Sequence, residues 1–216
     1  MLINADLAEP AIVRSDHYEW SPSPQKGVER MMLDRIGEEK ARATTIVRYQ
    51  EGSSFPLHPH PGGEEIFVLD GTFCDETGSF PKGTYIRNPP NSVHSPFCPD
   101  GATIFVKLRQ MHDTENHFLR VDTLDPDNWV NHQNGRNECL LHQDEHEFVS
   151  LQILRPQSIF NAPVGALVEW LIIKGEVFFS GEVHAAGSWI RLPKGSLKQL
   201  MTKDQGSCFY QKVVKV

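Results

Sequence analysis

The run Gly52-Ser53-Ser54-Phe55-Pro56-Leu57-His58-Pro59-His60-Pro61-Gly62-Gly63-Glu64, closed by Gly71 and followed by His94, gathers three imidazoles and one carboxylate. In an extended strand residues i and i+2 share a face, so His58 and His60 can enter one cavity while Pro59 points away. The Pro61-Gly62-Gly63 bend can swing Glu64 back towards them. His94 ends a second stretch, 83–94, in which an apolar run precedes a Pro89-Pro90-Asn91 turn, so a neighbouring strand can bring a fourth donor. Neutral imidazole suits zinc, iron, copper and nickel, and a carboxylate adds one negative charge. His58, His60, Glu64 and His94 are therefore the candidate ligands of one divalent metal, and their types alone do not choose among metals.

Short alternating segments such as 65–69 and 103–107, bounded by Gly, Pro and Asp, predict the strands that must position these groups and an all-β fold. Val28–Ile36 and Arg42–Tyr49 read as a hairpin around Gly37-Glu38-Glu39-Lys40. Each proline in the ligand run removes a ladder donor, which places 58–61 on a strand edge or at a bulge. Adding 104 maps Gly71, Gly83, Ile86, Arg87 and Pro89 onto Gly175, Gly187, Ile190, Arg191 and Pro193. The strand at 45–49 then matches 149–153, and 102–107 matches 206–211. Internal duplication is the economical explanation. The same shift carries His58, His60, Glu64 and His94 onto Ala162, Val164, Val168 and Lys198, so the second copy has none of the four donors. The expected domains are a metal-binding unit at 1–110, a polar connection at 111–145 and a degenerate second copy at 146–216.

The two stretches resemble the paired motifs of the cupin superfamily, G-x5-H-x-H-x3,4-E-x6-G and G-x5-P-x-G-x2-H-x3-N. The first is met throughout from Gly52 to Gly71; in the second Gly83, Pro89 and His94 match, while Asn91 and Cys98 replace the glycine and the asparagine. Asn tolerates the left-handed conformation such a turn needs. The wording HPHPGGEEIFVLDGTF, GTYIRNPPNSVHSP and GATIFVKLRQ is similar to the cupin-like domain of ChrR-type anti-sigma factors. That resemblance, over about 45 to 110, implies a small antiparallel barrel with His58, His60, Glu64 and His94 on zinc, and Fe(II), Mn(II) or Ni(II) as other occupants; with the duplication the expected fold is two tandem jelly-roll barrels, a bicupin. The resemblance implies a non-catalytic, zinc-dependent sensing role in the transcriptional response to oxidative stress. The alternative is a non-haem Fe(II) dioxygenase acting on a small diketone or hydroxy-ketone; no catalytic residue is named for it. A small ligand or an oxidant is the implied partner. A sigma factor is a further one, but the family binds it through a separate helical domain. The first forty residues here contain His17 but no cysteine and no H-x3-C-x2-C run.

A net charge of -7 and a pI near 5.8 give no broad basic surface, which argues against nucleic acid as partner. No apolar run reaches the roughly 18 residues of a membrane span. Cys74, Cys98, Cys139 and Cys208 are dispersed, and the start MLINADLAEP has no secretory pattern, so a reducing cytoplasm is the expected location. A homodimer is compatible with these features.

Several residues have a plainer reading beside a functional one. Cys98, near His94, is either a redox-sensitive thiol or a small buried hydrophobe. Phe55, Tyr85, Phe97, Phe105, Trp170 and Trp189 are expected to be core before pocket. Glu65 should turn away from Glu64, to solvent or to an Arg. Arg87 and Arg191 recur in both copies and so are expected to brace structure. The HQDEHE segment at 142–147 would be a second metal candidate only if helical.

Overall fold

The computed structural model describes residues 1–38 and 40–215. The expected hairpin forms as antiparallel strands Val28–Ile36 and Arg42–Tyr49; within its connection Glu39 lies outside the described residues. The chain divides into two compact units, Met1–Ala5 with Glu19–Leu124, and Asp6–Tyr18 with Asp125–Val216. Among the described residues both are antiparallel and all-β, apart from two three-residue 3-10 turns.

In the first unit the main sheet runs Leu2–Ile3, Val28–Ile36, Arg42–Tyr49, Ala102–Leu108, Glu64–Asp75, Thr84–Asn88, Leu119–Asp122. A separate ribbon pairs His58–His60 with Ser92–His94. The second unit repeats the plan as Trp129–Asn131, Asn137–Gln143, Glu147–Leu154, Gln199–Val214, Leu167–Phe179, Trp189–Leu192, Ala11–Val13. The outermost place is filled by Leu119–Asp122 in one unit and by Ala11–Val13 in the other, which covers a sheet edge that would otherwise offer free main-chain groups.

These placements revise the expected boundaries. The segment read as a connection, 111–145, contributes a strand to the first sheet and two to the second. Residues 6–18, read as part of the first domain, are tied to the second unit: the Tyr18 hydroxyl donates to the Gly187 carbonyl, and Arg191 Nη2 donates to the Asp6 carbonyl at 2.8 Å. Sequence pattern could not assign so short a strand to a partner nearly 180 positions away.

The duplication is visible in strand register. Ile66 lies opposite Ile86, and 104 residues on Trp170 lies opposite Ile190. Tyr49 opposite Ala102 becomes Leu154 opposite Ser207, a shift of 105 in both strands. The expected equivalences for 45–49 and 102–107 are therefore wrong by one residue, and Lys107 matches Lys212 rather than Gln211. Because the side-chain period of a strand is two, that single residue decides which face every side chain takes.

The corrected register shows a motif kept in both copies. Glu65 is opposite Arg87 on one side and Lys107 on the other, and Glu169 is opposite Arg191 and Lys212 in the same way. All six are at most 3% exposed. Arg87 reaches Glu65 and Glu115, each at 3.3 Å, and Lys212 reaches Glu147 at 2.7 Å. Glu65 thus takes the arginine of its two expected environments, and Arg87 braces the sheet as its recurrence suggested. Opposite charges placed directly across strands stabilise the pairing, whereas removing one partner from a buried set costs about 3–5 kcal/mol.

Gly71 and Gly175 occupy the same bend, at φ 70° and 78°. A Cβ on either would sit 2.2 Å from a main-chain oxygen, that of Gly101 or Gly206. Gly71→Ala and Gly175→Ala are each expected to lower stability by more than about 1 kcal/mol, since neither the φ nor the backbone contact suits alanine. Urea unfolding followed by tryptophan fluorescence and by circular dichroism measures the effect.

Candidate metal centre

His58 and His94 are directly opposed in the short ribbon, and His60 is opposite Ser92. The i, i+2 spacing puts both histidines of the first strand on one face, as expected, and Pro59 is exposed. The ribbon is only three residues long on each side, so the prolines cost it no ladder that a longer sheet would require. The three imidazoles converge, with ring centroids 4.7 Å apart for His58 and His60, 5.2 Å for His58 and His94, and 4.8 Å for His60 and His94.

Glu64 opens the long central strand just after the Gly63 bend and is 6% exposed. Its Oε2 lies 3.3 Å from His94 Nε2 and 3.6 Å from His60 Nε2. The two Nε2 atoms are 3.0 Å apart. The structure therefore gathers the three histidines into one cluster and sets Glu64 against two of them, His60 and His94.

The surroundings fix how these donors point. His58 Nδ1 is 2.8 Å from the Pro56 carbonyl, which can only accept, so Nδ1 holds the proton and Nε2 keeps its lone pair. His94 Nδ1 is 3.2 Å from Asp75 Oδ2, with the same consequence. Asp75 is itself held by the Thr77 amide at 2.7 Å and the Thr77 hydroxyl at 2.6 Å. Asn88 lies opposite Glu64 in register and donates Nδ2 to Glu64 Oε2 at 3.0 Å. Arg120 in turn donates to Asn88 Oδ1 at 2.8 Å and to the Arg87 carbonyl at 2.9 Å.

Electrostatics separate the two buried histidines. Burial holds His60 below the usual imidazole range, with Glu64 opposing and the neighbouring histidines reinforcing. His94 is lifted instead: burial works against its charge, but the hydrogen bond to Asp75 and the charges of Glu64, Asp75 and Glu76 outweigh it. Burial works against the Asp75 anion too, yet its bonds from His94 and Thr77 hold it at about 2. Tyr49, buried beside Phe55 and Phe73, is kept neutral by burial and then by the charge of Glu64.

With the His94 Nε2 lone pair 3.0 Å from His60 Nε2, either the His60 ring donates a proton across the gap or a cation lies between the two nitrogens. Metal–nitrogen bonds of about 2.0–2.1 Å at angles between octahedral and tetrahedral give separations of roughly 2.9–3.4 Å, so the donor set fits a divalent transition ion.

Asp75, Asn88 and Arg120 were not picked out from the sequence. Asn88 could have been: it shares strand parity with Ile86 and Glu64, and a polar side chain on an inward face signals service to a site. Asp75 could not, because the central strand shifts register at Leu69, where Val68 pairs with Ile104 but Asp70 with Thr103. Before that point even-numbered residues such as Ile66 face the core; beyond it Phe73 does.

The other expectations divide as follows. Cys98 is fully buried and its thiol is pushed up to about 12 by burial and then by Cys74, so it packs as a hydrophobe. Tyr85, Phe105, Trp170 and Trp189 are core, Phe97 is exposed, and Phe55 packs on His58 with ring centroids 5.7 Å apart. The 142–147 segment is not helical: His142 lies within the strand Asn137–Gln143 and meets Asp144 at 3.1 Å, and Asp144 Oδ1 caps the amides of His146 and Glu147. In the second unit Lys198 is buried and donates Nζ to the carbonyls of Ser196 and Val164, at 3.0 and 3.3 Å.

Residues 8–112 match the ChrR cupin-like domain family. No curated protein matches the chain. Among solved structures, a Nostoc punctiforme protein described as a candidate dioxygenase is similar at TM-score 0.79 and 16% identity, over 96% of this chain and 83% of that one. The Escherichia coli pirin YhhW, in complex with nickel(II), is similar at TM-score 0.69 and 13% identity, over 96% of this chain and all of its own. A cupin 2 conserved barrel domain protein from Leptotrichia buccalis matches over the full length of both chains, at TM-score 0.64 and 10% identity. Among the described residues no helix is long and apolar enough to cross a membrane. With its two jelly-roll units, its histidine cluster and its match across 8–112, the chain has the cupin fold, and its first unit is similar to the ChrR cupin-like domain.

Proposed function

We propose that His58, His60, Glu64 and His94 hold one divalent metal ion, most simply zinc, and that the first unit is a non-catalytic sensing module whose metal surroundings respond to a small ligand or oxidant. The observation that carries the metal is the 3.0 Å approach of two Nε2 atoms with Glu64 beside them. The ChrR-type match supports the regulatory reading, since that family is named for a cupin-like domain rather than for a reaction. A bound ion would supply a Lewis acid able to polarise an oxygen atom of a small molecule. The chain's own residues orient the donors: Pro56 and Asp75 set the tautomers of His58 and His94, and Asn88 holds Glu64. Phe55 packs on His58 and Phe73 on His94, and Tyr49 stands edge-on to both phenyl rings.

A second reading is a cupin dioxygenase with Fe(II) at the same position and a small diketone or hydroxy-ketone as substrate. What favours it is the likeness to the Nostoc punctiforme protein, an argument from fold alone. Among the described residues beside the donors, Asp75 is already bonded to His94 and Thr77, and burial favours the neutral form of Tyr49.

Protein purified without added metal is expected to contain one zinc per chain by elemental analysis, and His60→Ala to contain less than a tenth of that. Iron at one per chain, with oxygen uptake on diketones, would shift the reading to the dioxygenase. Zinc should raise the unfolding free energy of the wild type, by about 2.7 kcal/mol at a hundred times its dissociation constant, and leave that of His60→Ala unmoved. Lys198→Ala should bind zinc as the wild type does.

A further inference from the structure

The central strand and its hairpin return meet His94 at a place that no motif marks. The tip of the Glu64–Asp75 and Gly78–Pro81 hairpin carries Asp75, Glu76 and Thr77. Asp75 Oδ2 lies 3.2 Å from His94 Nδ1, and its other oxygen is occupied by the Thr77 amide and hydroxyl. Glu76 takes the next residue in line, accepting from the Ser95 amide at 2.8 Å and from the Ser95 hydroxyl. Two consecutive carboxylates thus grip two consecutive residues, one by its imidazole and one by its main chain. Asp75 is 5% exposed, so no solvent competes for the bond to His94.

The duplicated unit provides an internal comparison. The hairpin register there is conserved, with Val177 opposite His184 where Phe73 is opposite Phe80. In that frame Asp75 becomes Phe179, Thr77 becomes Gly181 and His94 becomes Lys198. Phe179 packs edge-on against Trp170, at 5.7 Å between centroids, and joins the apolar interior. The carboxylate, the threonine that anchors it and the imidazole it faces are absent together. A carboxylate needed only to shape the hairpin would have no reason to vanish with the histidine, because the hairpin itself persists.

From this geometry we infer that Asp75 is a positioning residue for the metal centre, holding His94 as the Nδ1–H tautomer with Nε2 aimed at the ion and adding a second negative charge beside Glu64. A carboxylate hydrogen-bonded to a ligating histidine orients the ring and raises its basicity, and loss of such a partner costs 10–100-fold in metal affinity. Two carboxylate side chains at the centre, Glu64 and Asp75, match a divalent ion in formal charge. This inference rests on the metal reading above.

Two measurements on full-length protein test it. Zinc affinity, read by competition with a chromophoric chelator, is expected to fall 10–100-fold in Asp75→Asn, which keeps the shape, and at least as far in Asp75→Ala. Long-range proton–nitrogen NMR of the metal-free wild type should show His94 protonated at Nδ1, and Asp75→Asn should lose that preference while the unfolding midpoint of its metal-free form stays near that of the wild type. Wild-type zinc uptake with affinity in Asp75→Asn within twofold overturns the inference alone, as does an Nε2–H tautomer of His94 in the wild type. Failure of the wild type to take up zinc overturns it together with the metal reading.

Discussion

Strand parity is the constraint on which this molecule depends. Alternate residues of a strand face opposite ways, so adjacent glutamates can serve opposite ends of the chemistry. Glu64 turns inward to the histidines; Glu65, the next residue, turns outward into a buried set with Arg87 and Lys107 opposite it in register. A one-residue slip of the central strand would exchange them, placing Glu65 among the imidazoles and stripping Arg87 of its counter-charge. The repeated Glu-Lys-Arg arrangement on the outward face therefore does more than stabilise: it penalises the wrong register, because any slip leaves buried charges without their partners.

That logic explains what the two copies share and what they do not. The outward charges persist as Glu169, Arg191 and Lys212, while the inward face has changed character. Where Ile66 stands in the first unit the second has Trp170, whose indole packs edge-on with Phe160 and Phe209 and donates Nε1 to Gln211 at 3.1 Å. The ring volume occupies an interior that otherwise opens towards polar donors. Lys198, at the place of His94, is drawn to two main-chain carbonyls and needs no carboxylate within the barrel. Sheet register and inward chemistry have thus varied independently, and the first is the part both units retain.

Much of this was legible in the residues. His58, His60, Glu64 and His94 could be read directly because each sits within a few positions of a proline or glycine that fixes local geometry, so spacing converts to position without knowledge of the rest of the fold. The duplication was legible through Gly71, Gly83 and their counterparts, which occupy bends that few other residues enter. What stayed hidden depended on single-residue irregularities. The displacement of 105 rather than 104 in the Arg42–Tyr49 and Ala102–Leu108 strands lies in loops of unequal length, and the shift at Leu69 leaves no trace in composition. Nor does apolar pattern reveal that Ala11–Val13 joins the second sheet, since three residues are too few to carry a period.

The same irregularity at Leu69 gives the site its outer carboxylate. Without the extra residue, Phe73 and Asp75 would have the parity of Glu65 and point away from the core; with it, both turn towards the side occupied by Ile66 and Val68. One strand then supplies Glu64 at its start and Asp75 at its end, and both meet the same histidine, at Nε2 and Nδ1 respectively. His94 is consequently held from two ends of a single rigid element. A bulge is costly in ladder hydrogen bonds and persists where it aims a side chain. In the second unit the equivalent shift survives around Ile173, though the residue it turns inward is Phe179. The backbone device therefore outlasts the charge it once could place, which argues that the bulge belongs to the shared barrel and the carboxylate to the metal centre.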